Sequence, residues 1–109
     1  MRTRRVRGCY IPVERARHFS QRAQPEEVYE VLENGDFKAL WVRTRSFGKS
    51  PAYIVYGRTE EGRYLVIHGI LLEDPPLKDV FMPVTVRPMT QKEKRYYEEH
   101  REGGPHEGD

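Results

Sequence analysis

The side chains best suited to chemistry in this sequence are arginines, tyrosines and one strand histidine. Arg58 and Arg87 can stabilise negative charge, because a guanidinium keeps its proton at any ordinary pH. His68 suits proton transfer, because the pKa of an unperturbed histidine is about 6.5, and Tyr97 is a second candidate for that role. Five further side chains could hold a polyanion through phosphate contacts or by stacking on unpaired bases: Arg43, Arg45, Lys49, Tyr56 and Tyr64.

Groups of these types can cleave RNA without a metal. The 2′-hydroxyl of the RNA attacks the adjacent phosphodiester, so a protein needs only a proton acceptor, a proton donor and cations for the charge that develops. A structural interpretation competes with this one, since a lone strand histidine is usually structural and a tyrosine on a sheet face usually packs against its cross-strand neighbour. Residue types alone therefore indicate nucleic-acid binding and no more.

Other site chemistries find little support in the sequence. The four histidines, His18, His68, His100 and His106, include no pair spaced like a metal-ligand motif. Cys9 is the only cysteine, which excludes an internal disulfide or a zinc knuckle of paired thiols, and its apolar surroundings are typical of an inert thiol. No glycine-rich phosphate loop precedes a helix. We therefore expect neither a metal nor another cofactor.

The basic residues are unevenly distributed and are mostly arginine. Arginine accounts for 14 of the 19 Lys and Arg residues, and residues 1–50 carry 11 of the 19 against six acids. Guanidinium is weakly hydrated and pairs with phosphate through two parallel hydrogen bonds, which favours polyanion recognition. Codon bias or a surface preference would explain the same composition. A pI near 8.8 is compatible with nucleic-acid binding without requiring it.

Length and hydropathy predict one small domain. A chain of 109 residues can form a single core, and no apolar run approaches the roughly 18 residues of a membrane helix. The arginine-rich start lacks the apolar stretch of a secretory signal, so we expect a cytoplasmic protein without membrane contact. The predicted organisation is a basic arm over residues 1–8, one domain over residues 9–101 and a disordered tail over residues 102–109.

Periodicity and turn signals predict two helices, four strands and a last helix. Glu60-Glu61-Gly62 is typical of a three-residue hairpin loop, in which the glycine takes a positive φ. Thr90 and Glu93 form a capping box that opens the last helix. Residues 8–11 could add a short strand. The predicted helices span residues 12–22, 25–33 and 90–101, and the predicted strands span residues 37–45, 52–58, 63–72 and 80–87.

This order predicts an α+β fold, with the helices on one face of a four-stranded antiparallel sheet. Alternation along the middle strands gives one apolar face, which we expect to be covered by helices: Tyr53, Val55, Gly57, Leu65, Ile67, Gly69 and Leu71. The opposite face carries Ile54, Tyr56, Arg58, Tyr64, Val66 and His68, and we expect it to meet a partner. In the last strand, alternation separates Val80, Met82, Val84 and Val86 from Phe81, Thr85 and Arg87. Either Tyr96 or Tyr97 should attach the last helix to the sheet.

Segment 85–99, with the sequence TVRPMTQKEKRYYEE, resembles the closing signature of BrnT-type toxins. That signature is a strand ending in Ser-Ala-Arg and a helix opened by Ala-Thr, with Glu, basic residues and a Tyr following. Arg87, Thr90, Glu93 and Tyr97 match it, whereas Thr85 and Met89 replace its Ser and Ala. Upstream, residues 25–32 and the hairpin over residues 53–66 are similar to the second helix and central strands of the family. Residues 9–99 follow its element order.

The resemblance implies a RelE-like fold and the toxin role in a type II toxin–antitoxin pair. Toxins of this family are metal-free ribonucleases that arrest translation, and a cognate antitoxin with a ribbon-helix-helix DNA-binding half neutralises them. The implied partners are RNA and such an antitoxin, with a homo-oligomer as a further option. Two alternatives stay open: a non-catalytic RNA-binding module of the same fold, and an interaction module that uses its sheet edge or aromatic face.

The sequence also departs from the family at cationic positions. Ser20-Gln21-Arg22 stands where the family has Lys-His-Gly, and Ala52 and Met82 stand where arginines open two strands. Of these cationic positions only Arg87 is kept. One lost charged donor costs roughly 3–4 kcal/mol of transition-state stabilisation, so compensation is needed, and Arg58 and Lys49 are close enough in sequence to supply it.

Overall fold

A computed structural model describes residues 6, 8–19, 22–33 and 39–103, and the predicted α+β class is confirmed. Most of the predicted arm and of the predicted tail, together with Ser20 and Gln21, lies outside these residues. The helices are α1 (Val13–Phe19), α2 (Pro25–Glu33) and α3 (Gln91–Gly103). The strands are β1 (Gly8–Cys9), β2 (Leu40–Phe47), β3 (Ser50–Arg58), β4 (Tyr64–Leu71) and β5 (Val80–Pro88).

The sheet is mixed and five-stranded, so the prediction of a four-stranded antiparallel sheet is wrong. Its order is β1-β5-β4-β3-β2, and β1 runs parallel to β5 with Gly8 opposite Val80. A two-residue strand has no detectable periodicity, and its partner lies far away in sequence. Gly8, assigned to the arm, thus belongs to the sheet, and Val6 packs against the core.

The sequence predicted the β3–β4 hairpin loop correctly but not the β2–β3 turn. In the β3–β4 loop the Thr59 amide donates to the Arg63 carbonyl at 2.9 Å, and Gly62 has a φ of 96°, as predicted. The connection between the strands predicted over residues 37–45 and 52–58 is a tight two-residue turn, because Phe47 pairs directly with Ser50 and extends both strands. Its residue Gly48 has a φ of 63°, which favours glycine.

The main core forms between α2 and the sheet face predicted to be apolar. Val28 and Val31 of α2 are buried there against side chains of three strands, β3, β4 and β5: Tyr53, Val55, Leu65, Ile67, Leu71, Phe81 and Val86. Gly69 leaves the space that the Phe81 ring fills, since a Cβ at this glycine would lie 2.4 Å from that ring and 2.5 Å from the Met82 carbonyl oxygen. We call this side of the sheet the α2 face.

The last helix packs on the opposite side of the sheet, which we call the α3 face, so the expectation that all helices share one face is wrong. Tyr97 is fully buried in a second core, together with Leu40, Val66 and Met89. The hydroxyl groups of Tyr56 and Tyr64 led to the prediction that this face is exposed. The tyrosine rings themselves are apolar, however, and they pack against the second core. Within the described ranges, α3 covers one end of this face, and an open hollow lies at the other end.

A β-bulge at Val84 corrects the predicted facing of β5. Pro83 pairs with Gly69 but Thr85 pairs with His68, so Val84 is an extra residue and the alternation changes phase there. Phe81 therefore joins Val86 on the α2 face, whereas Met82 joins Thr85 and Arg87 on the α3 face. A strict period of two cannot anticipate such an insertion.

The capping box predicted at the start of α3 is confirmed. The Glu93 amide donates to the Thr90 hydroxyl at 3.1 Å, and the Thr90 amide donates to the Glu93 carboxylate at 2.8 Å.

Among the described residues, no helix combines the length and the apolar character needed to cross a membrane.

Candidate functional site

Paired strands arrange the α3 face in three rows of side chains. The first row contains Tyr56, Val66 and Arg87, the second Ile54, His68 and Thr85, and the third Ala52, Ile70 and Met82. Neighbouring rows are two residues apart along β3 and β4, about 6.6 Å, whereas the bulge places Thr85 three residues from Met82 on β5. The first row borders α3, and the third row lies farthest from it.

Arg87 is held by a two-pronged ion pair with Glu93. Its Nη1 donates to Oε1 at 2.8 Å and its Nη2 to Oε2 at 2.6 Å, while Nη1 also donates to the Pro88 carbonyl at 3.2 Å. A guanidinium has five N–H donors. Within the described part of the chain, these bonds leave the edge formed by Nε and the second Nη2 hydrogen for another acceptor.

Glu93 stabilises both the helix start and Arg87. The hydrogen bond from Arg87, followed by those from Thr90, lowers the pKa of Glu93 from 4.5 to about 2. The same pair raises the pKa of Arg87, so this guanidinium stays charged. The helix N-terminus adds favourable interactions for a carboxylate. This pair thus fixes the position of a permanent cation at the border of the open surface.

Replacing Glu93 should expose its contribution to stability. A group whose folded pKa is depressed stabilises the fold above its unfolded pKa, and that stability is lost as pH falls through its folded pKa. We expect Glu93→Gln to lower the free energy of unfolding at pH 7 by about 1–2 kcal/mol. Between pH 4.5 and about 2, wild type should lose more stability than the variant. Denaturant titrations with Glu99→Gln, an exposed control on α3, measure this, and parallel pH curves would contradict it.

His68 lies in the second row, diagonally across from Arg87. Partial burial lowers its pKa from 6.5, and the charge of Arg87 lowers it further, whereas Glu93 opposes the shift. The imidazole is therefore neutral at pH 7 and can accept a proton. A neutral imidazole beside a fixed guanidinium is suited to proton abstraction where negative charge develops.

Tyr56 completes the group from the first row. Burial raises the pKa of its hydroxyl from 10.0, and the neighbouring Glu93 and Tyr96 raise it further, although Arg87 acts in the opposite direction. The Tyr96 ring packs edge-on against Tyr56 at 5.3 Å and fixes its orientation. Tyr56 thus keeps its proton at neutral pH and can donate it. We call Tyr56, His68 and Arg87 the central trio.

Arg58 and Tyr64, both predicted to act at the site, lie at the end of the α3 face that the helix covers. The Tyr64 hydroxyl hydrogen-bonds the Glu98 carboxylate at 2.5 Å, and its ring lies 5.6 Å from the Arg58 guanidinium and 5.4 Å from the Lys94 ammonium. Arg58 Nε also donates to the Thr59 carbonyl at 3.2 Å. These contacts attach the helix to the sheet, so the structure does not bring Arg58 to the central trio.

Three other predicted site residues are also placed elsewhere. Tyr97 is fully buried, which leaves its hydroxyl no access to a substrate. Arg43 lies on the α2 face, with its guanidinium 5.8 Å from the centre of the buried Tyr53 ring. Lys49 lies in the turn after β2 and lines a separate groove beside Pro75.

The third row forms the floor of an apolar hollow next to the central trio. The hollow has a volume of about 310 Å³, and His68 lines it together with Ala52, Ile70 and Met82. Arg45, predicted to bind RNA, and Arg15, which no sequence pattern indicated, lie at its border. The helical pattern of α1 does not distinguish Arg15 from the other polar residues of this helix. Its place at the hollow depends on the packing of α1 beside β5.

Two further observations concern the acidic, histidine and cysteine side chains. Among the described residues, no three His, Cys, Asp or Glu side chains cluster closely enough to hold a metal ion. Burial, with a smaller effect of Glu33, raises the pKa of Cys9 to about 12. The thiol therefore stays protonated and is a poor nucleophile.

Comparisons with known proteins leave the site as the main guide to function. No family model, no curated protein and no solved structure matches this chain.

Proposed function

We propose that this protein is a metal-independent endoribonuclease, the toxin of a type II toxin–antitoxin pair of the BrnT kind with a RelE-like fold. The observation that carries the proposal is the convergence of Tyr56, His68 and Arg87 at the open part of one sheet face. The resemblance of segment 85–99 to the BrnT signature supports the same assignment. Its place of action would be the cytoplasm, where its antitoxin would neutralise it.

In the proposed reaction, each residue of the central trio has a separate role in the attack of the 2′-hydroxyl on the phosphate. His68 accepts the 2′-hydroxyl proton as the O2′–P bond forms, which its depressed pKa permits at pH 7. The P–O5′ bond then breaks, and the departing 5′ oxygen takes the Tyr56 proton. The products are a 2′,3′-cyclic phosphate and a 5′-hydroxyl. Proton exchange with water returns His68 and Tyr56 to their starting forms.

Arg87 stabilises the charge on the phosphorane through its unoccupied edge. Glu93 holds the Nη1 and Nη2 end, so Nε and the second Nη2 hydrogen can form a parallel pair of hydrogen bonds to two phosphate oxygens. A cation already held in place needs no reorganisation when charge develops. Glu93 thus acts as a positioning residue for Arg87.

The ion pair also favours a second candidate function. Because Glu93 neutralises much of the Arg87 charge, the face could bind RNA without cleaving it, or accept a protein segment. In that case RNA binding should weaken as the salt concentration rises, and the bound RNA should stay uncleaved.

Cleavage of a short single-stranded RNA by the purified full chain, in buffer containing EDTA, tests the proposal. Because the pKa of His68 lies below 6.5, kcat/KM should rise with pH and reach its plateau near neutrality, with the midpoint of the acid limb below pH 6.5. His68→Ala should lose that limb and most of the rate. Product ends are identified by mass spectrometry as 2′,3′-cyclic phosphates.

Controls separate this activity from contamination and from simple binding. His18→Ala is the matched variant, because this histidine is exposed on α1. It should retain the wild-type pH profile. Salt-sensitive RNA binding without any cleavage would overturn the ribonuclease proposal in favour of the binding module.

A further inference from the structure

The apolar hollow beside His68 has no role in the reaction proposed above. Its floor consists of Ala52, Ile70 and Met82, all half-buried and aligned across three paired strands. His68 forms part of its wall, so the hollow begins where the central trio ends. Its volume of about 310 Å³ suits one small flat group rather than a peptide segment.

Two β-bulges place arginines at the border of this hollow. The β2–β3 register shifts between Thr44 and Phe47, which puts Arg45 in a bulge next to the third row. The bulge at Val84 exposes a carbonyl to which Arg15 Nη1 donates at 3.5 Å. Bulges commonly redirect side chains next to active sites. Arg15 and Arg45 thus both border the hollow, Arg15 beside β5 and Arg45 on β2.

We propose that this hollow is a nucleobase subsite, which holds the base of one RNA nucleotide beside the scissile phosphate. A nucleotide combines a base that has two apolar faces with a ribose that can carry phosphates on its 3′ and 5′ sides. This matches an apolar floor that is bordered by Arg15 and Arg45 and lies two rows from Arg87. An acyl chain would present charge at one end only. The subsite rests on the proposed function for its substrate, RNA, but its binding can be measured without cleavage.

Nucleoside 3′,5′-bisphosphates test the subsite directly, because they contain no internucleotide bond to cleave. Ribose 3,5-bisphosphate, which lacks the base, is the control ligand. One base face should bury roughly 40 Å² or more against the apolar floor, at about 25 cal/mol per Å², so a preferred nucleoside bisphosphate should bind at least about fivefold more tightly than the ribose compound. In NMR spectra of the full chain, ring currents should shift the methyl signals of Ile70 and Met82 with the nucleoside ligand only.

Variants test whether the base binds in the hollow. Ala52→Phe fills the hollow and should abolish the preference for a base, and Arg15→Ala should weaken both bisphosphates severalfold. Arg17→Ala, on the same short helix, should change neither affinity. Equal affinity for the two ligands in wild type, with unmoved methyl signals, would overturn the subsite even if Ala52→Phe does not fold. Base-dependent binding together with absent RNA cleavage would keep the subsite and reject the ribonuclease.

Discussion

Arg87→Ala should reduce RNA cleavage by about 10²–10³-fold, the cost of removing one preorganised donor from a site of developing charge. The reason lies in geometry, since Glu93 fixes Arg87 with one edge of the guanidinium directed elsewhere. Expression of wild type in a bacterium should arrest growth, and expression of the variant should not. Growth curves and the RNA assay described above measure the two effects.

Two further variants show whether the effect depends on the guanidinium at this position. Arg87→Lys keeps a charge but loses the paired donors, so its rate should lie between those of wild type and the alanine variant. Arg95→Ala removes an exposed arginine of α3 and should leave cleavage unchanged. Circular dichroism confirms that each variant is folded. Unchanged cleavage by folded Arg87→Ala, or equal losses in Arg87→Ala and Arg95→Ala, would contradict the role given to Arg87.

The sheet register shows what the departures from the BrnT pattern at Ala52 and Met82 do to the surface. Ala52 and Met82, which replace arginines of that pattern, both pair with Ile70 and together form an apolar floor. Neither Arg58 nor Lys49, the residues expected to compensate, is among the residues that line the hollow. Cations do reach the same region from other elements, because Arg15 and Arg45 border it.

Local signals in the sequence predicted local structure well. The capping box at Thr90 and Glu93 and the glycine turn at Gly62 each depend on a few neighbouring residues, and both form as expected. Strict alternation in β3 and β4 also assigned the side chains of those strands to the correct faces. These features need no knowledge of distant parts of the chain.

Features that depend on distant pairing could not be predicted. The parallel pairing of β1, the bulge at Val84 and the docking of α3 are set by contacts between residues far apart in sequence. The same limit applies to the site. The sequence indicated Glu93 as a capping residue, but its ion pair with Arg87 depends on how β5 leads into α3.

Tyr97→Ala should lower the free energy of unfolding by about 3–5 kcal/mol, the usual cost of truncating a fully buried aromatic side chain. Its ring packs edge-on against Tyr64 at 6.0 Å and lies in the second core with Val66 and Met89. Tyr96→Ala is the matched control, because Tyr96 is 37% exposed on the same helix and its loss should cost at most about 1.5 kcal/mol. Urea titrations monitored by circular dichroism measure both.

Tyr97→Phe separates packing from proton transfer at the same position. The variant keeps the ring, so its stability should fall by about 1 kcal/mol or less and its RNA cleavage should stay within twofold of wild type. A large loss of cleavage in a stable Tyr97→Phe protein would restore the hydroxyl to the reaction. Because the ring is fully buried, we expect the match of Tyr97 to the BrnT signature to reflect how the last helix docks. In the proposed reaction, proton donation then falls to Tyr56, which keeps its proton at neutral pH and lies near Arg87.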